Sequence, residues 1–344
     1  MTILTLPGEI TSAFTHFALY GLAALCEDAG TAGRLWWARS RTPKPCLDVG
    51  DLAEQDVAEL VHRHSLEHCL EDSWIQQRTD HENRSTAVFS PRIKAASNAR
   101  SWCDLQEARH TALDQLSPAD ELDLRMIGGL GEPAWWRAEP DPRPDDGASR
   151  WEMKTRNRGE EFVGNRLQLL AAVVAARTPG QVLDGLLGNT VTDEVGGGSE
   201  SRTATGLRRP GTTDNALAWC ALWGITQFPT IHHVDGLSTT PGAFVRAGRT
   251  TPTSMHLPVF TDPVTLARTR TVLLSSALAT VGKPTARDNH SNDEAAIRIA
   301  TAQSWLSNRI IRAVVRFPVH VSNNPSAPER QVLDGEIIVL PQPE

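Results

Sequence analysis

Lysine is scarce in this chain of 344 residues: Lys44, Lys94, Lys154 and Lys283 are the only four among 34 basic residues, and the other 30 are arginine. Tyrosine occurs once and methionine four times. The five cysteines, Cys26, Cys46, Cys69, Cys103 and Cys220, are odd in number and form no C-x-x-C pair. That pattern argues against a zinc ribbon, a redox pair and a secreted disulfide framework. No apolar run approaches the roughly 20 residues that a membrane-spanning helix needs. The first residues carry neither the basic nor the apolar region of a signal peptide, so a cytoplasmic protein without membrane contact is expected. The glycine strings at 128–131 and 196–198 run into neither G-K-[ST] nor the dinucleotide fingerprint, and neither is read as a nucleotide cradle.

What is present is the composition of a globular protein, with 40% hydrophobic and 22% charged residues and a mean hydropathy of -0.30. The formal charge of -7 excludes a polycation that coats nucleic acid or anionic membrane indiscriminately. That charge is unevenly spread. Residues 1–145 hold 14 basic and 23 acidic groups, and residues 146–344 hold 20 and 18. Any polyanion surface is therefore expected in the second part. The arginine excess fits GC-rich coding, and it also fits phosphate binding, because a guanidinium fork grips phosphate bidentately where an ammonium cannot.

Periodicity predicts an α+β fold of mixed helices and short, mostly antiparallel strands, with a long Gly/Arg-rich loop. Strands are expected at 3–6, 34–38, 46–49, 150–155 and 244–246. Helices are expected at 11–28, 51–70, 160–177, 180–187, 215–228 (capped by Asp214), 263–279 and 293–306. The runs 310–321 and 332–340 predict a hairpin with a long loop. The turn-rich 139–147 (EPDPRPDDG) is the expected boundary between an acidic α/β N-terminal domain, 1–140, and a more basic α+β domain, 148–344, that holds the loop 196–211. One local echo stands out: FALYGL at 17–22 and CALWGI at 220–225 each place a glycine mid-helix, where another backbone can approach.

Two motifs suggest chemistry. His64-Ser65-Leu66-Glu67-His68 matches H-x-x-E-H, in which two histidines one turn apart ligate zinc and the glutamate acts as base. Val57, Leu60, Val61, His64 and His68 form one stripe, however, so packing is the expected role of the histidines. Asp145 and Asp146 followed by Glu152-Met153-Lys154 have the outline of a metal-dependent nuclease site, with the acidic pair in a turn rather than on a neighbouring strand. These two motifs define the rival reading, a metal-dependent nuclease or hydrolase.

The stronger signal is distributed cationic chemistry. Lys154, Arg156 and Arg158 alternate, so on a strand they project from one side, as a phosphate track requires. Arg202, Arg208 and Arg209 lie in the Gly-rich loop. Between Arg246 and Arg316 ten basic residues face four acidic ones, with Arg246, Arg249, Arg268 and Arg270 at its start. These ten positions, Lys154 through Arg270, are the candidate nucleic-acid contacts. The ten tryptophans, Trp36-Trp37 and Trp135-Trp136 among them, are base-stacking candidates or core anchors.

Residues 15–25 (THFALYGLAAL), residues 215–229 (NALAWCALWGITQFP) and the run Arg316-Phe317-Pro318-Val319 resemble segments of compact large-subunit-type proteins of type I CRISPR systems of the I-U, now I-G, group. The resemblance covers patches amounting to about a third of the chain, and its motifs are packing motifs. It implies a non-enzymatic, cofactor-free subunit of a CRISPR RNA-guided surveillance (Cascade) complex in antiviral defence. The expected partners are guide RNA, target DNA, the backbone and guide-processing subunits, and a separate helicase-nuclease. It also implies contact with the protospacer-adjacent motif and help in opening the duplex. Guide pairing then carries most sequence specificity, so the protein needs backbone contacts more than a metal centre.

Overall fold

The computed structural model describes residues 1–81, 84–91, 93, 98–131, 149–151, 162–195, 205–233, 238–246, 249, 251–283, 293–323 and 330–341. The fold is α+β, with ten α-helices and antiparallel sheets among these residues. The chain begins with β1 (Ile3–Thr5), α1 (Ala13–Asp28), β2 (Arg34–Trp37), β3 (Pro45–Asp48) and α2 (Glu54–Glu67). A two-stranded hairpin, β4 (Arg78–His81) and β5 (Arg84–Ala87), leads to α3 (Ala99–Asp114) and α4 (Glu121–Leu130). A π-turn, Val163–Leu167, runs into α5 (Gln168–Ala175), followed by α6 (Pro179–Leu187). Then come α7 (Asn215–Trp223) with a 3-10 turn (Gly224–Gln227), β6 (Ala243–Val245), β7 (Pro252–Phe260), β8 (Val264–Thr265), α8 (Leu266–Leu273), α9 (Ser276–Gly282) and α10 (Asp293–Ser307). The last three strands are β9 (Ile311–Val321), β10 (Arg330–Val332) and β11 (Glu336–Val339).

At the centre α1 crosses α7. Every residue from Ala13 to Cys26 is buried, and so is every residue of α7, which is why neither helix shows a polar face. The crossing is made by the two echoing segments. A Cβ on Gly21 would overlap the Cys220 carbonyl oxygen, and one on Gly224 would overlap the Phe17 carbonyl, so each glycine admits the backbone of the other segment. Beside the crossing Phe17 and Phe228 stack, with centroids 4.7 Å apart and planes 6° from parallel.

Two larger sheets flank this core. One has the order β1-β3-β2-β8, the last strand supplied from late in the chain through Leu35 opposite Val264 and Arg34 opposite Thr265. The other has the order β10-β9-β7-β6. The expected terminal hairpin is present there: β10 and β11 both run antiparallel to β9, with Val332 opposite Val319 and Glu336 opposite Arg316.

Several expectations change in detail. The helix expected at 263–279 is two, because Thr265 Oγ1 accepts from Arg268 N and Ser275 Oγ accepts from Leu278 N, so each begins its own helix. The β4-β5 hairpin, α3, α4 and β7 were not foreseen. The 139–147 boundary lies outside the described residues. The parts on either side of it share the β2-β8 pairing and one hydrophobic core cluster. No helix among the described residues is long and apolar enough to cross a membrane.

Candidate nucleic-acid interface

Five arginines that composition alone would place at the surface are buried: Arg109, Arg150, Arg166, Arg177 and Arg330. They tie chain segments together. Arg109 donates from Nε to the Val88 carbonyl and from its terminal nitrogen to the Ser90 carbonyl, both at 2.9 Å. Arg166 donates to the Thr205 carbonyl at 2.6 Å. Arg177 is the densest knot, donating to both oxygens of Asp214 at 3.0 and 3.2 Å, to Glu194 at 2.8 and 2.6 Å, and to the Thr192 carbonyl at 2.7 Å. Burial opposes the Arg177 charge, and the two carboxylates more than restore it; the same pairing holds Glu194 below its ordinary value although burial opposes this.

That knot builds one wall of a cleft. Residues 188–195 form a strap held by several of its amides: Thr192 N donates to Asp214, and Glu194 N and Val195 N donate to the Asn215 side chain. Gly188, at φ +75°, lies where a Cβ would strike Pro7. The opposite wall is residues 205–213, held by the Phe14 N bond to the Leu207 carbonyl and the Val332 N bond to the Gly206 carbonyl, both 3.0 Å. Between them lies a half-enclosed cleft of about 530 Å³. Arg208 and Arg209 line it, along with Pro7, Phe14, Val191 and Leu217.

Of the ten candidate contacts, Lys154, Arg156, Arg158 and Arg202 lie outside the described residues, as do Asp145, Asp146 and Glu152 of the nuclease-like motif and the pair Trp135-Trp136. The other six divide into two groups. Arg209 pairs with Asp334 at 3.4 Å, and Arg270 donates to Glu27 at 3.2 Å and to Gln227 at 3.1 Å. Arg208, Arg246, Arg249 and Arg268 make no side-chain hydrogen bond or ion pair among the described residues. Arg208 lies over the Phe14 ring, 5.9 Å from its centroid. Arg246 and Arg249 precede β7 and Arg268 follows it, so a nine-residue strand of about 30 Å separates them and the six do not form one patch.

The two histidines of H-x-x-E-H pack ring against ring, with centroids 4.3 Å apart, but they are tied to other partners and Glu67 does not join them. His64 Nδ1 accepts from Trp219 Nε1 at 3.2 Å, His68 Nε2 meets Asp123 Oδ1 at 2.9 Å, and Trp74 Nε1 donates to the same oxygen at 2.9 Å. Burial, with a smaller contribution from His68, drives the His64 pKa well below its ordinary value. Glu67 faces outward beside Arg63, 3.9 Å away. Among the described residues no group of three His, Cys, Asp or Glu side chains is placed to hold a metal ion. Trp37, Trp151, Trp219 and Trp223 are fully buried, so these four serve the core. The Arg177 knot, and the use of Phe14 and Val191 as cleft walls, had no sequence signal, because their partners join only through the fold.

No family model matches this chain, and no curated protein matches it significantly.

Proposed function

We propose that this protein is a non-enzymatic, nucleic-acid-binding subunit of a CRISPR RNA-guided surveillance complex, touching target DNA or guide RNA mainly through backbone phosphates. The observation that carries the binding reading is that Arg208, Arg246, Arg249 and Arg268 keep guanidinium groups without acidic partners among the described residues, in a chain whose acidic residues outnumber its basic ones. An acidic protein that leaves these four unneutralised holds positive charge in local positions, which suits a guided binder and not an indiscriminate one. The assignment to a CRISPR complex draws on the packing motifs of α1 and α7 described above.

The test has two arms. Affinity-tagged protein from its native cell should retain guide RNA carrying CRISPR repeat sequence. Replacing Arg246, Arg249 and Arg268 together by alanine should weaken DNA binding across sequences and flatten the slope of log K against log salt by about 0.9 for each lost phosphate contact. Absence of guide RNA sinks the CRISPR assignment, and an unchanged slope sinks the phosphate contacts. Magnesium-dependent DNA cleavage lost on Glu152→Ala would establish the rival nuclease.

A further inference from the structure

Of the four candidate contacts without a side-chain partner among the described residues, Arg208 is the one that lines the cleft described above, and that cleft has more than charge. We propose that it takes one nucleotide unit of a single strand, with the phosphate on Arg208 and the base against the apolar wall of Pro7, Val191 and Leu217; the inference rests on the nucleic-acid reading above. Four features support it. The Arg208 guanidinium lies over the Phe14 ring, 5.9 Å from its centroid, and makes no hydrogen bond or ion pair among the described residues, so its N–H fork is available for a phosphate, which accepts bidentately.

Val191 is 59% exposed, yet it belongs to a strap anchored on both sides of it, by the Asn189 and Thr190 amides on the Asp184 carbonyl and by Thr192 on Asp214. Apolar surface held rigidly in water binds a flat ring without further ordering cost. The nearby carboxylates are already engaged: Asp214 is buried against Arg177, Thr192 N and Ala216 N, and Asp334 pairs with Arg209. Glu9 remains at the mouth, accepting from Thr11 at 3.4 Å. A volume of about 530 Å³ suits one nucleotide. A duplex keeps its bases stacked inside and presents only phosphates, so it cannot fill the apolar wall.

The full-length protein is titrated by fluorescence anisotropy against a labelled oligothymidylate and against the same strand annealed to oligoadenylate. Arg208→Ala should weaken single-strand binding about tenfold and duplex binding by less than about twofold, and Val191→Ser should weaken the single strand about threefold. Thermal midpoints of both variants should stay within a few degrees of the wild type, because neither side chain makes a hydrogen bond or ion pair among the described residues. Equal losses on both probes, or no loss from either variant, overturn the cleft assignment while wild-type binding upholds the nucleic-acid reading. Wild-type protein that binds neither probe overturns both.

Discussion

Three histidines are held neutral inside the protein. His16, with no exposed surface, bonds through Nε2 to the Ile10 carbonyl at 2.8 Å and packs against Trp37 at 4.5 Å. Burial drives its pKa down to about 4, although the Ile10 bond opposes this. His256 is also pushed down to about 4, by burial first and then by the Arg316 and Lys283 charges, and His64 falls for the reason given above. An unfolded histidine titrates near 6.5, so the unfolded chain binds more protons than the native one between about 6.5 and 4. The stability these residues contribute is complete above about pH 6.5 and is lost as pH falls toward about 4. The urea midpoint should drop across that window, and His256→Asn should flatten the drop. An equal slope in the variant would remove His256 as a source.

At the scale of elements, the α1-α7 crossing depends on two missing side chains. Gly21→Ala or Gly224→Ala drives a methyl into a backbone carbonyl that cannot rotate aside, with an expected loss of about 3 kcal/mol or more. Gly128, in α4, has open space where its Cβ would stand, so Gly128→Ala should stabilise by about 0.5–1 kcal/mol. Denaturant unfolding of the three variants tests the contrast, and a neutral Gly21→Ala would mean that the helices separate more readily than their packing implies. The elements that sequence reading missed have physical reasons. β7 is buried at eight of its nine positions and contains Pro252 and Pro258, so it shows neither alternation nor an unbroken β-forming run. α3 buries only Leu105, Arg109 and Ala112, a stripe at helical spacing with an arginine in its middle. α4 was obscured by Gly128-Gly129, of which Gly129 lets the Ile225 carbonyl approach.

The whole molecule is joined across long sequence distances. Glu27 binds Arg270, Arg39 binds Asp262, and β8 completes the sheet begun by β1. A fragment of residues 1–140 leaves α1 without α7 and β2 without β8, exposing a helix that is apolar on every side. It should show no cooperative thermal transition by circular dichroism, and a sharp transition would show that this part holds a core of its own. The α+β class, the helices α1, α2, α6 and α7 and the terminal hairpin were legible along the chain, because turns and periodicity act over a few residues, whereas the Asn98 cap of α3 and the Thr265 and Ser275 caps that divide α8 from α9 were not read. So was room for close backbone approach at Gly21 and Gly224. That each glycine meets the backbone of the other segment, that Arg177 is locked while Arg208 has no acidic partner among the described residues, and that His64 faces Trp219 were decided by the tertiary structure. The charge of a guanidinium is written in the sequence, but whether a carboxylate lies within hydrogen-bond reach depends on residues brought together from up to 243 positions away.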